Sequence, residues 1–191
     1  MKSNNSFKTA LFLDRDGIIN RDFGYVYEKD KLELVDGITE LIGYFAMAMD
    51  HVIVVSNQSG IGRGFYTYKD WQNFNREIQV ILELKDVKID AFYCCPHMPA
   101  ELNGESCYCR KPNPGMLLTA KNDFSLNLKQ SILVGDKLSD IKAAYRANLL
   151  KAYLLSAENT VLSNQFHNFD VNVVKSLRDI IYIENTKSGE N

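Results

Sequence analysis

No apolar run in this chain approaches the roughly 18 residues that a helix needs to cross a bilayer, which excludes a membrane-spanning helix from it. Charge of one sign is missing too. The 22 basic side chains nearly balance the 24 acidic ones, for a formal net charge of -2. Without a basic excess, nucleic acid is excluded as a bulk electrostatic partner. Internal repeats and low-complexity stretches are absent. Met1 to Lys8 is polar and has no apolar signal core, so the expected location is the cytoplasm. Cysteine is scarce, and all 4 residues (Cys94, Cys95, Cys107 and Cys109) fall in one short stretch. A disulfide framework spreads its cysteines along the chain, so this clustering favours metal binding.

What is present is ordinary soluble material: 46% hydrophobic and 24% charged residues over 191 positions. That length suits a single domain, with a core over about residues 8–184 and a polar tail at 185–191. Short apolar runs recur at Ala10–Leu13, His51–Val55, Ala91–Cys94, Ser131–Val134 and Ala152–Leu155, with a shorter one at Val171–Val174. Apolar on both faces, they read as strands buried between helix layers. Helical spacing fills the gaps. Ile38, Leu41, Ile42, Phe45 and Met49 mark one helix. Trp71, Phe74, Ile78, Ile81 and Leu82 mark a second, behind a Thr67 cap. Asn113-Pro114 predicts a cap and a first-turn proline leading into Met116–Lys121. Leu138–Ala147 and Ser176–Glu184 complete the set. Alternating strands and helices predict an α/β fold: a Rossmann-like three-layer α/β/α sandwich with a mostly parallel sheet. The stretch from Pro96 to Pro112 lacks periodicity and reads as a long loop that needs a function or a staple.

Asp14-Arg15-Asp16-Gly17 follows the first strand. Alone it is compatible with a calcium-loop fragment or a solvated turn. Other strand ends narrow the choice. Ser56-Asn57-Gln58-Ser59-Gly60 follows strand two, Gly135-Asp136-Lys137 and Asp140 follow strand four, and Arg110-Lys111 precedes a helix start. A parallel sheet gathers these on one edge, where ligands bind in such folds. Oxygen ligands such as Asp14, Asp16 and Asp136 suit Mg²⁺. A carboxylate can attack phosphorus, and hydroxyl, N–H and lysine groups can hold phosphoryl oxygens. Separately, Cys95-x-His97 and Cys107-x-Cys109 offer three thiols and one imidazole, the donor set of a structural Cys₃His zinc site. Zinc there would clip the loop and hold Arg110 and Lys111, which follow at once. Cys94 reads as a buried strand residue, and His51 and His167 as non-catalytic.

LFLDRDG, VIVVSNQSG, CRKPNPGM and LVGDKLSD, in that order, resemble the haloacid dehalogenase-like superfamily of phosphatases. Asn20, Gly24-Tyr25-Val26, NQSGIGRG and Cys95-Pro96-His97 narrow the likeness to its heptose bisphosphate phosphatase branch, across about residues 8–156. The resemblance implies Asp14 as nucleophile and Asp16 as acid and then base. It implies Mg²⁺ at Asp14, the Asp16 carbonyl and Asp136, with Ser56 and Asn57 binding the transferring phosphoryl group. Lys111 would pair with Asp14 and the phosphate, Arg110 would meet the distal phosphate, and Arg63 would be a second substrate contact. Lys137 and Asp140 would stand behind these groups, with Asp140 orienting Lys111 or a metal-bound water. Implied in turn are zinc at the Cys/His pairs, a small sugar bisphosphate substrate, no large cap domain and a monomer. The implied reaction removes the C7 phosphate of a heptose 1,7-bisphosphate for glycan synthesis, as in lipopolysaccharide core. Ile18 stands where the family often has threonine, and the zinc loop is short. Histidinol-phosphate phosphatases share a short loop and are the alternative; a zinc-stapled binding module without catalysis is another.

Overall fold

The computed structural model describes residues 7–103, 107–158, 162 and 166–188. Six strands form one sheet: β1 (Ala10–Leu13), β2 (His51–Asn57), β3 (Ala91–Cys95), β4 (Ile132–Gly135), β5 (Lys151–Leu155) and β6 (Asp170–Val174). All neighbours pair in parallel, in the order β3-β2-β1-β4-β5-β6. Among the described residues the seven α-helices are α1 (Ile38–Ala48), α2 (Ser59–Gly62), α3 (Tyr68–Glu83), α4 (Ala100–Asn103), α5 (Gly115–Phe124), α6 (Leu138–Arg146) and α7 (Leu177–Ser188).

Two apolar clusters explain why the strand runs carry no polar face. Leu11, Leu13, Val52, Val54 and Val134 point to the side covered by α1, α3 and α7. Ala10, Phe12, Ile53, Val55 and Leu133 point to the side covered by α5 and α6. Period-two alternation thus fills both faces, and the expected three layers are present. The chain builds outward from β1 to β3, then returns to β4 on the other side of β1. That reversal opens a crevice beyond the C-terminal ends of β1, β2 and β4.

Local chemistry sets most boundaries. Thr67 caps α3: its Oγ1 accepts from Asp70 N at 3.1 Å, and Asp70 Oδ2 accepts from Thr67 N at 2.8 Å. Four expectations need correction. Pro114 is the N-cap of α5, not its first residue, and the helix runs on to Phe124. Asn113 does not cap it, because its amide is turned to Cys107 O and to Arg146. The 96–112 stretch also contains the short helix α4. At the far end α7 continues through 185–188, which composition reads as tail; 189–191 lie outside the described residues.

Candidate active site

A cleft of about 450 Å³ lies over the β1, β2 and β4 ends, with Asp14, Asp16, Ser56, Arg110, Lys111 and Asp140 among its walls. Lys111 is its electrostatic centre. The side chain is 2% exposed, and Nζ lies 2.8 Å from Asp14 Oδ1, 2.6 Å from Asp140 Oδ1 and 2.6 Å from the carbonyl of Val55. Burial works against a charged amine, but the Asp14 and Asp140 carboxylates outweigh it and raise the Lys111 pKa. The amine has three N–H donors and three oxygens around it, so it is locked as ammonium. Asp140 is itself anchored: its Oδ2 accepts from Lys137 N at 3.0 Å in the first turn of α6.

Asn57 is used differently from expectation. Its Nδ2 donates to Lys111 O at 2.9 Å and its Oδ1 accepts from Lys111 N at 3.0 Å. Both ends of the amide are spent on one residue's main chain, so the side chain ties Lys111 to β2 while Asn57 lines the cleft. Asp16 is held by donors from three residues. Oδ1 accepts from Arg15 Nη2 at 2.9 Å and Asn20 Nδ2 at 3.0 Å, and Oδ2 accepts from Gln58 Nε2 at 2.8 Å. The D-x-D spacing left Arg15 unassigned. It is fully buried, stacked 4.9 Å over the Phe74 ring, and bonded to Val26 O. Gln58 was also missed, although it lies inside the NQSG run; it is 2% exposed and bridges Asp16 to Ser56 Oγ at 2.8 Å.

Asp14, Asp136 and Asp140 each offer a carboxylate oxygen within 4.8 Å of the others. The Asp16 carboxylate does not join this group. Burial, with Asp14 alongside, pushes Asp136 up to about 7, and its Oδ1 is buried without a hydrogen-bond partner. An orphaned carboxylate oxygen beside a second carboxylate fits a divalent cation with oxygen preference. Gly17 makes the approach feasible. Its φ is +94°, and a Cβ there would lie 2.3 Å from Asp136 Oδ2. Lys137 Nζ stands 3.5 Å from Asp136 Oδ2 and 3.1 Å from Asp22 Oδ2.

Arg110 lines the cleft and donates through Nη1 to His97 O at 3.2 Å. Arg63 is not among the lining residues. Its guanidinium sits 5.7 Å over the ring of Tyr25, which does line the cleft. The second donor set comes together as spacing predicts. Cys95 Sγ lies 3.4 Å from Cys107 Sγ and 3.2 Å from Cys109 Sγ, and His97 Nδ1 lies 3.2 Å from Cys109 Sγ. Edges of a zinc tetrahedron with metal–sulfur bonds of about 2.3 Å run near 3.8 Å, so the four donors stand slightly closer together than a bound ion would hold them, by up to about 0.6 Å. Cys94 is outside the group, its thiol pushed up to about 12 by burial. His51 sits at the opposite end of β2, against Asp90 and the Phe124 ring.

Residues 108–180 match the HAD-hydrolase-like family. The D-glycero-alpha-D-manno-heptose-1,7-bisphosphate 7-phosphatase of Campylobacter jejuni is 44% identical over 78% of this chain and 83% of its own length. The D-glycero-beta-D-manno-heptose-1,7-bisphosphate 7-phosphatase of Escherichia coli K12 is 42% identical over 73% and 75%. A crystal structure of D,D-heptose 1,7-bisphosphate phosphatase from B. bronchiseptica, complexed with magnesium and phosphate, superposes with a TM-score of 0.79 at 26% identity. It covers 94% of this chain and 99% of that one. The chain belongs to the haloacid dehalogenase-like hydrolases. Within them it groups with the heptose 1,7-bisphosphate 7-phosphatases.

Proposed function

We propose that this chain is a Mg²⁺-dependent phosphatase that hydrolyses D-glycero-D-manno-heptose 1,7-bisphosphate to heptose 1-phosphate. The observation that carries the reading is Asp14 held against a buried lysine at the sheet's C-terminal edge, in a chain 44% identical to a named 7-phosphatase. Lys111 occupies Asp14 Oδ1 and leaves Oδ2 to attack phosphorus. As the new O–P bond forms, the bond from phosphorus to the C7 oxygen breaks, and Asp16 gives its proton to that oxygen. In the second half Asp16 takes a proton from water, whose oxygen attacks the aspartyl-phosphate and releases phosphate and Asp14. Arg15, Asn20 and Gln58 hold the Asp16 carboxyl in place at the cleft through both halves.

Ser56 holds the transferring phosphoryl oxygens, Lys111 supplies positive charge beside them, Asp140 and Asn57 hold Lys111, and Arg110 takes the distal phosphate as a charge-assisted donor. Asp14, Asp136 and the Asp16 main chain would hold Mg²⁺, which supplies charge neutralisation at the phosphoryl oxygens. Zinc at Cys95, His97, Cys107 and Cys109 would fix the loop that delivers Arg110 and Lys111. The chain then works as one phosphatase domain on a diffusible sugar phosphate. Four free cysteines suit a reducing compartment such as the cytoplasm, and a monomer suffices because every named group comes from one chain.

The test is phosphate release under Mg²⁺ from both anomers of heptose 1,7-bisphosphate, fructose 1,6-bisphosphate and histidinol phosphate. One heptose anomer should have the highest kcat/KM, and Asp14→Asn should abolish turnover. Preference for histidinol phosphate would replace the substrate; unchanged activity in Asp14→Asn would remove the mechanism and leave a binding role.

A further inference from the structure

Gln58 touches both Asp16 and Ser56, so the direction of its amide decides what each can do. A carboxylate only accepts, so the face toward Asp16 must be the NH₂. Its two hydrogens go to Asp16 Oδ2 and Ser56 Oγ, each at 2.8 Å. Ser56, having accepted one hydrogen bond, keeps its own O–H to donate into the cleft it lines. The carbonyl Oε1 must then face the other way, where it accepts from the hydroxyl of Tyr66 at 2.5 Å.

Tyr66 is built into this place. It is 5% exposed, its ring stacks on Tyr27 at 4.8 Å between centroids, and it packs on bare Gly60, where a Cβ would lie 2.2 Å from its Cε1. Burial pushes its hydroxyl up to about 12, so it remains an O–H donor over the working range. An inverted amide would set a carbonyl against the Asp16 carboxylate and leave two buried acceptors facing each other.

We propose that Tyr66 is a positioning residue for the phosphatase reaction: its hydroxyl fixes the polarity of the Gln58 amide, which holds Asp16 in place and leaves the Ser56 hydroxyl as a donor to the phosphoryl group. This rests on the phosphatase reading above. Tyr66 borders the cleft, but its hydroxyl is spent on Gln58 Oε1, so it acts through Gln58 and its contribution vanishes once Gln58 is gone.

The test compares wild type, Tyr66→Phe, Gln58→Ala and the double variant, with heptose 1,7-bisphosphate and Mg²⁺. Tyr66→Phe keeps the ring and its packing. It should lower kcat about tenfold, the scale of one lost buried hydrogen bond, with KM within about twofold. In the Gln58→Ala background the same change should have no further effect on kcat, a non-additivity that a merely structural role would not produce. Thermal melts report folding independently, and the pairing is overturned if Tyr66→Phe lowers kcat only in proportion to unfolded protein. An unchanged kcat in folded Tyr66→Phe, or a double variant slower by the product of the two single effects, would also overturn it while leaving the phosphatase assignment intact. A wild type that releases no phosphate would overturn both.

Discussion

Replacing Lys111 with methionine removes one charge from among three buried oxygens and keeps most of the side-chain volume. In the native protein Nζ contacts Asp14 at 2.8 Å and Asp140 at 2.6 Å, and both carboxylates are buried. Breaking a buried pair by deleting one partner costs about 3–5 kcal/mol, because the remaining charge is left uncompensated. Two carboxylates are stranded here, so Lys111→Met should fall in that range without added metal. At a urea slope of about 2 kcal/mol per molar, the midpoint should drop by roughly 2 M. Adding Asp140→Asn removes one stranded charge and should restore more than half of that loss. Activity should behave differently: both variants stay inactive, because neither has the lysine charge that sits between Asp14 and the phosphoryl group. Urea titrations followed by tryptophan fluorescence, beside phosphate-release assays, separate the two quantities. A double variant no more stable than Lys111→Met would refute the electrostatic reasoning, and appreciable turnover in either would refute the role of Lys111.

Gly17→Ala should eliminate Mg²⁺-dependent turnover, since its Cβ would meet Asp136 Oδ2 at 2.3 Å on a backbone with φ of +94°; turnover near wild type would remove Asp136 from the metal site. Purified protein should carry about one zinc per chain, the capacity of a single Cys₃His tetrahedron. Cys109→Ser should lose that zinc and reduce kcat/KM, and full activity without zinc would detach the staple from the cleft. Arg110→Ala should raise KM for the bisphosphate about tenfold or more, from one lost charge-assisted contact, yet barely alter hydrolysis of a simple monophosphate ester. Equal effects on the two substrates would place the distal phosphate elsewhere.

Much of the site was legible because chemistry and topology coincide at strand ends. Asp14, Ser56 and Asp136 each follow or close an apolar run, and a parallel sheet has only one edge for them. The Cys95, His97, Cys107 and Cys109 cluster was legible from spacing, since two short pairs in one loop can close on one ion. What escaped depends on side-chain direction, which spacing does not encode. Asn57 has the same neighbours whether it faces a phosphate or the Lys111 backbone. Arg63 stands in the right loop but turns onto the Tyr25 ring. Arg15 and Gln58 lie in polar, turn-forming runs that suggest exposure, yet both are buried because each satisfies Asp16. Helix α4 is a single turn, too short for any period to register, and Pro114 caps α5 because the preceding asparagine is engaged by Cys107 and Arg146.

The most direct measurement follows phosphorus NMR while the Mg²⁺-loaded enzyme turns over heptose 1,7-bisphosphate, beside histidinol phosphate under the same conditions. The C7 phosphate should disappear while the C1 phosphate remains. The bisphosphate should be favoured by about 10- to 100-fold in kcat/KM, the scale of one charge-assisted contact to its distal group. Release of the C1 phosphate, or a preference for histidinol phosphate, would contradict the assignment.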